Sequence, residues 1–254
     1  MGILDLFSLK GKNALVTGSA QGLGSGIAIA LAQAGANVTL HGLDKVLGEV
    51  AEEVERAGVK HISITGDVCD PAVCTGLVDE TVNAFGSIDI LVNNAGTILR
   101  APAEEHSAEF WYKVIETNLN SVFRISQYAG RKMLAQGSGK IINIASMQCF
   151  QGGILIPSYT ASKGGVGQLT KALANEWAAR GVNVNAIAPG YMATDNTAAL
   201  IADPVRGPSI LARIPAGRWG APSDLAGAAV FLASQASNYV DGHLLVVDGG
   251  WLCR

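Results

Sequence analysis

The chain has 254 residues, 49% apolar and 15% charged, with a net charge of −3. That length suits one large α/β core, and a slightly acidic balance without a basic stripe excludes nucleic acid and anionic membrane as expected partners. No run approaches the roughly 18 apolar residues of a membrane span, and a charged fraction below the ~25% of ordinary soluble domains predicts that subunits cover part of the apolar surface.

Residues Met1 to Lys10 hold Asp5 and only a short apolar stretch, so neither export nor membrane insertion is expected. Cys69, Cys74, Cys149 and Cys253 have no Cys-x-x-Cys spacing and no nearby histidines. They read as reduced thiols of a cytoplasmic protein, with no metal site and no disulfide framework. Short apolar runs follow at 13–17, 38–43, 61–65, 88–93, 140–145, 183–188 and 243–247. Segments of helical periodicity or turn residues flank them, which predicts a single-domain α/β fold of the Rossmann type: a doubly wound, seven-stranded parallel sheet with helices on both faces. No linker divides residues 1–254.

The first strand runs into Thr17-Gly18-Ser19-Ala20-Gln21-Gly22-Leu23-Gly24. Gly18, Gly22 and Gly24 permit a tight turn and close backbone approach, so amides at a helix N-terminus can face a pyrophosphate. The helix continues with Leu23, Ile27, Ala30, Leu31 and Ala34 on one face and Gly35 as its stop; Gly58 and Gly86 end the next two helices. The second strand ends at Gly42 and Leu43, where many NAD sites carry an acidic residue for the ribose hydroxyls. Asp44 follows late, and no arginine stands at 42, 43 or Gln21 to meet a 2′-phosphate. NAD is therefore the expected cofactor, with His41 and Lys45 the side chains that speak against it. Asp67, after the third strand, is placed for an adenine amino group or for capping the next helix.

Ser146 ends the fifth apolar run, and Tyr159 and Lys163 stand four apart just after Pro157. On one helix face a lysine ammonium can favour an ionised phenol, and moving that group from near ~10 to near ~7 takes about 4 kcal/mol. Such a pair can serve as a general base. Residues 192–217, with Pro204, Pro208 and Pro215, break the strand and helix rhythm and are expected to form a substrate lid. Ser223, following Pro222, is the expected N-cap of the last helix.

The glycine turn, Asp67, Asn93-Asn94-Ala95-Gly96, Asn118, Ser146, Tyr159, Lys163 and Pro189-Gly190 with Thr194 resemble, in order and over nearly the whole chain, the short-chain dehydrogenase/reductase family. The resemblance implies a catalytic set of Asn118, Ser146, Tyr159 and Lys163. Tyr159 exchanges the alcohol proton and Ser146 bonds the reacting oxygen. Lys163 lowers the Tyr159 pKa and bonds the nicotinamide ribose, and Asn118 holds a relay water. The implied cofactor contacts are Gly18, Gln21, Gly22, Leu23, Gly24, Leu43, Asp67, Val68, Asn93, Asn94, Ala95, Gly96, Pro189, Gly190, Met192 and Thr194, besides Tyr159 and Lys163. The family resemblance also implies a homotetramer, for which Gly164, Gly165 and Gly167 on the Tyr159 helix would permit close helix approach.

Candidate substrate contacts are Arg100, Ser146, Gln148, Gln151, Tyr159, Tyr191 and Arg218, with Met192, Arg213 and Trp251 further pocket residues. Arginines with glutamines suit a carboxylated, hydroxyl-rich molecule better than a steroid or acyl chain. Residues 144–147, 150–153, 175–177, 188–194, 213–220 and 248–251 resemble those of the family's sugar-acid dehydrogenases, which act on 2-deoxy-D-gluconate or 2-dehydro-3-deoxy-D-gluconate. The alternatives are a gluconate 5-dehydrogenase or other polyol or uronate reductase, then a 3-oxoacyl carrier-protein reductase or a non-catalytic dinucleotide sensor.

Overall fold

The β-branched and leucine-rich runs form seven parallel strands in the order β3-β2-β1-β4-β5-β6-β7. In the computed structural model, which describes residues 2–44 and 47–254, these are β1 (Asn13–Val16), β2 (Asn37–Gly42), β3 (His61–Thr65), β4 (Ile90–Asn93), β5 (Gly139–Ile144), β6 (Val182–Pro189) and β7 (Leu244–Val247). Lys45 lies outside the described residues. Each predicted strand is present, with ends displaced by one or two residues where hydrogen bonding to the neighbour begins or stops.

Period-two alternation explains why the central strands read as unbroken apolar runs. On β1, Ala14 and Val16 face one layer and Leu15 the other; on β4, Ile90 and Val92 oppose Leu91. The first layer packs on α1 (Gly22–Gln33), α2 (Gly48–Arg56) and α9 (Ala226–Ala233), through Ile27, Leu31, Val50, Val54 and Leu232. The second packs on α3 (Pro71–Phe85), α5 (Ser121–Gln136) and α6 (Pro157–Trp177), through Leu77, Ile125, Met133 and Trp177. Emptying one such position, as in Leu77→Ala, costs about 2–5 kcal/mol.

Helix ends follow the sequence in part. Gly35, Gly58 and Gly86 all adopt positive φ, as stops should. Asp70, rather than Asp67, caps α3 by accepting from Ala72 N–H at 2.8 Å. Ser223 is not an N-cap: it sits inside a 3₁₀ turn, Pro222–Leu225, whose first donor, Ala221 N–H, is taken by Asp224 at 2.7 Å. Between α4 (Ala108–Ile115) and α5 the chain makes one wide π turn, Glu116–Asn120. Residues 192–217 hold two short helices, α7 (Asp195–Ala202) and α8 (Arg206–Arg213). Among the described residues no helix is long and apolar enough to cross a membrane.

Chain order reverses between β1 and β4, and such a switch point opens a crevice beyond the carboxyl ends of the strands. The glycine turn, the Asn94 loop and the head of α7 all converge there.

Candidate active site

A cavity of about 600 Å³ occupies that crevice and runs from Leu43 and Asp67 at one end to Ser146, Tyr159 and Arg100 at the other. At the first end the chain builds a cradle from main-chain atoms. Gly18 takes φ +64°, and a Cβ there would stand 2.9 Å from the Ala95 Cα. A Cβ on Gly24 would stand 2.2 Å from the Gly18 carbonyl oxygen, so only glycine lets α1 begin directly under the turn. Asn94 fixes the turn, its Nδ2 donating to the carbonyls of Thr17 at 3.0 Å and Gly18 at 2.9 Å. These features leave room for a pyrophosphate against the amides and fit a dinucleotide.

Gly18, Gln21, Gly22, Leu23, Leu43, Asp67, Val68, Asn94, Ala95, Gly96, Pro189, Gly190, Met192 and Thr194 all line the cavity, as does the late Asp44. Two predicted cofactor contacts do not. Gly24 lies beneath the turn as a packing residue. Asn93 is buried, its Nδ2 donating to Ser126 Oγ and Asn143 Oδ1 at 2.9 Å each, so it ties β4 to α5 and β5. Asp67 accepts from Cys69 N–H at 2.9 Å and from Lys113 Nζ at 3.3 Å. The Cys69 amide above all, with Lys113 assisting, holds its carboxyl below the usual range. Lys113 and His41 line this end too; their partners lie 46 and 23 to 25 residues away, and no local spacing announces them.

At the other end the chain just after β5 presents Ser146, and the first two turns of α6 present Tyr159 and Lys163. Ser146 Oγ accepts from Gln148 N–H at 3.2 Å and lines the same cavity as the Tyr159 phenol. Burial pushes the phenol pKa up, the neighbouring Ser146 hydroxyl and the Arg100 guanidinium opposing it. Lys163 Nζ is buried, donates to the Ile144 carbonyl at 2.6 Å and stands 5.7 Å from the centre of the Tyr159 ring. Burial lowers its pKa to about 8. Asn118 occupies the π turn, a geometry frequent at functional sites. Its Oδ1 accepts from Thr97 N–H at 2.8 Å, and its Nδ2 donates to the Thr97 carbonyl at 2.9 Å and to Ser162 Oγ at 3.2 Å. The side chain therefore braces the loop after Gly96 against α6, and a relay water would need other acceptors.

Of the predicted substrate contacts, Arg100, Ser146 and Tyr159 line the cavity, and Gln148, Gln151, Tyr191 and Arg218 do not. Arg218 makes a two-pronged ion pair with Asp224, at 2.6 and 2.8 Å. Tyr191 packs edge-on between Trp219 and Trp251, with ring centres 5.4 and 4.7 Å away. Gln151 Oε1 accepts from Trp251 Nε1 at 3.1 Å, and the Arg213 guanidinium lies 3.9 Å over the Trp251 ring. Tyr191, Trp219 and Trp251 form a small aromatic cluster packed on Met147, Ile210 and Ile214. Gln148 is buried without lining the cavity. Met192 does line it, and Asp195, Asn196 and Thr197 at the head of α7 join it unannounced by any motif.

A family model described as enoyl-(acyl carrier protein) reductase matches residues 18–252. The chain belongs to the short-chain dehydrogenase/reductase family. It is 55% identical to the 2-dehydro-3-deoxy-D-gluconate 5-dehydrogenase of Bacillus subtilis, over 257 aligned positions that span 100% of both chains. It is 51% identical to a solved protein of Agrobacterium tumefaciens described as a 2-deoxy-D-gluconate 3-dehydrogenase with bound NADP, with a TM-score of 0.93 over 98% of this chain and 100% of that one. A gluconate 5-dehydrogenase from Burkholderia cenocepacia, in complex with NADP and tartrate, is 40% identical with a TM-score of 0.95 over 100% of both chains. As a member of this family the chain is an oxidoreductase that uses a nicotinamide dinucleotide.

Proposed function

We propose that this protein interconverts a secondary alcohol and a ketone on a sugar acid, 2-dehydro-3-deoxy-D-gluconate or 2-deoxy-D-gluconate, with NAD preferred. The observation that carries this reading is the pairing, in one cavity, of the Ser146 and Tyr159 hydroxyls with the Arg100 guanidinium. Arg100 donates from Nη2 to the Asn196 carbonyl of the lid at 3.4 Å, a long bond that leaves the other guanidinium donors for a carboxylate. The names of the relatives supply the substrate class.

When bound, the nicotinamide accepts or returns the hydride. The chain supplies the rest. Ser146 holds the reacting oxygen beside Tyr159, and in the oxidising direction the phenolate takes the hydroxyl proton as the carbon–hydrogen bond breaks. In reduction the neutral phenol returns it. Burial disfavours the phenolate, so the lowering that a base requires falls to the Ser146 hydroxyl and the Arg100 guanidinium, with the Lys163 ammonium, 5.7 Å from the ring centre, adding its charge. Asn118 fixes Thr97 and thereby the loop that carries Arg100.

The NAD preference rests on Leu43, which lines the cavity and is 59% exposed where a cation would meet a 2′-phosphate, and on Asp44, which would repel one. The solved relatives with NADP make this the point to measure. A panel of sugar acids with each dinucleotide, followed by nicotinamide absorbance, tests both parts. Turnover of no sugar acid in the panel overturns the substrate class, and a tenfold or greater preference for NADP overturns the cofactor.

The protein works in the cytoplasm as a homotetramer in this reading. Gly165 and Gly167 are taken up by contacts within the chain, a Cβ there lying 2.9 Å from Leu119 and 3.0 Å from Leu244. Gly164 meets open space, and Trp111, Tyr112 and Phe123 on α4 and α5 are exposed. Sedimentation showing a stable monomer at micromolar concentration overturns the tetramer.

A further inference from the structure

His41, the fifth residue of β2, is 2% exposed, yet both of its ring nitrogens have main-chain partners on two different walls of the cavity. Nδ1 lies 3.1 Å from Gly18 N in the glycine turn, and Nε2 lies 2.9 Å from the Gly66 carbonyl oxygen after β3. A main-chain amide can only donate and a carbonyl can only accept. Nδ1 is therefore the acceptor, Nε2 carries the hydrogen, and the ring is neutral in a single tautomer.

The main chain of the same residue adds to the tie. Ser19 N–H donates to the His41 carbonyl at 2.8 Å, and His41 N–H donates to Ser19 Oγ at 2.8 Å. One residue thus joins the pyrophosphate side of the cradle to the adenine side, where Asp67 follows Gly66. The turn has little slack on its other flank, where Asn94 holds it and a Cβ on Gly18 would already clash with Ala95.

We propose that His41 is a positioning residue for the dinucleotide, an interlock that holds the glycine turn and the Gly66–Asp67 loop in register only while its imidazole is neutral. Protonation places a second donor on Nδ1 at 3.1 Å from the Gly18 amide, and the turn must move or lose its partner. Burial keeps the ring neutral at pH 7, with the Gly66 bond and the field of Asp67 opposing it. Among the described residues the charged groups near the ring are few. The turn 17–20 carries no titratable side chain, the loop after β3 contributes Asp67 paired to Lys113, the Asn94 loop contributes none, and β2 itself continues to Asp44.

Two opposite signs of pH dependence separate this interlock from simple charge attraction. An imidazolium near a pyrophosphate would tighten binding in acid; the interlock weakens it. The inference rests on dinucleotide binding alone and is indifferent to the sugar acid and to NAD against NADP. The measurement is calorimetric titration of NAD and of NADP, both stable in acid, between about pH 5 and 8, using whichever the wild type binds more tightly. Wild-type Kd is expected to be level near neutrality and to climb toward about tenfold per pH unit below the imidazole pKa. His41→Leu, which removes both ring partners, should weaken binding about tenfold near neutrality and have no acid limb. His41→Asn, whose Oδ1 can take the place of Nδ1 but does not titrate, should recover most of the lost affinity, also without the limb.

An acid limb that persists in His41→Asn, tighter binding in acid, or wild-type affinity in His41→Leu overturns the proposal. If His41→Leu does not fold, imidazole ¹⁵N spectra of the wild type decide it: a ring protonated on Nε2 alone at pH 7 supports the interlock, and a proton on Nδ1 overturns it. A wild type that favours NADP would refute the cofactor preference while leaving this test intact.

Discussion

The two ends of the one cavity are built by different rules. The dinucleotide end is made of strand termini whose main chain is held from both sides, Gly18 by Asn94 and His41, Gly66 by Gly42 and His41. The other end sets Ser146 and the start of α6 against loops and two short helices, which are crossed by single bonds such as Arg100 to Asn196 and Ala101 to Leu155. Phe150 and Ile154 stand exposed beside it, and Leu155 adopts φ +66°, the left-handed region that a branched side chain rarely enters. A part that binds a ligand common to a whole family gains from rigidity. A part that chooses among sugar acids is carried on segments that can be rebuilt without disturbing the sheet.

Substitutions at the two ends should therefore differ in which kinetic constant they move. The largest effect belongs to Tyr159→Phe, where loss of the acid–base group should lower kcat about 10³-fold while calorimetry finds NADH binding nearly intact. Alcohol oxidation in the wild type should rise with pH, because the deprotonated phenol is the active form, and ketone reduction should fall. Lys163→Ala should move that limb upward, and the double variant should be little worse than the worse single one. Turnover retained in Tyr159→Phe would remove the chemistry from the end to which it is assigned.

Gly24→Ala comes next. Overpacking costs about 1–3 kcal/mol, and a Cβ 2.2 Å from a main-chain oxygen belongs at the upper end, so dinucleotide Kd should rise about 100-fold or the chain should melt early. Sugar-acid KM at saturating cofactor should change far less if the ends are separable. Arg100→Gln should do the converse, raising sugar-acid KM about 30-fold, in line with about 2 kcal/mol for a charged hydrogen bond, with cofactor KM steady. Leu43→Arg should improve kcat/KM with NADP about tenfold by meeting the 2′-phosphate. Arg218→Ala should be the mildest, with sugar-acid KM changed less than about twofold, since its exposed pairing with Asp224 lies away from the cavity. A large KM effect there would reinstate it at the substrate end.

The same asymmetry decided what could be read from sequence. Strands, the glycine turn and the Tyr159 and Lys163 pair announce themselves by local spacing, because period two, period 3.6 and tight turns are properties of short segments. Tyr191, Gln151 and Arg213 were expected in the pocket because they follow strands β5 and β6 or sit in the lid. They are instead absorbed by Trp251, whose approach is a tertiary event with no local mark. Asn93 and Asn94 are neighbours of one type, yet strand alternation sends one into the interior and leaves the other to grip the turn. The partners of His41 and Lys113 lie on other elements, so the chain hides both until it is folded.

The π turn at Glu116–Asn120 has a consequence for how this region can change by insertion or deletion. Such a turn amounts to one extra residue spliced into an otherwise continuous α-helix. Excising one residue there would restore an unbroken α-helix and leave α4 and α5 in place, whereas the same deletion within either helix would rotate everything beyond it by about 100° and shift it by about 1.5 Å. Lys113, outside the turn, would stay beside Asp67, and the amide of Asn118, inside it, would leave Thr97. A one-residue deletion at this spot, harmless to helix formation and far from any strand, should release the loop at Thr97 while leaving the adenine end intact.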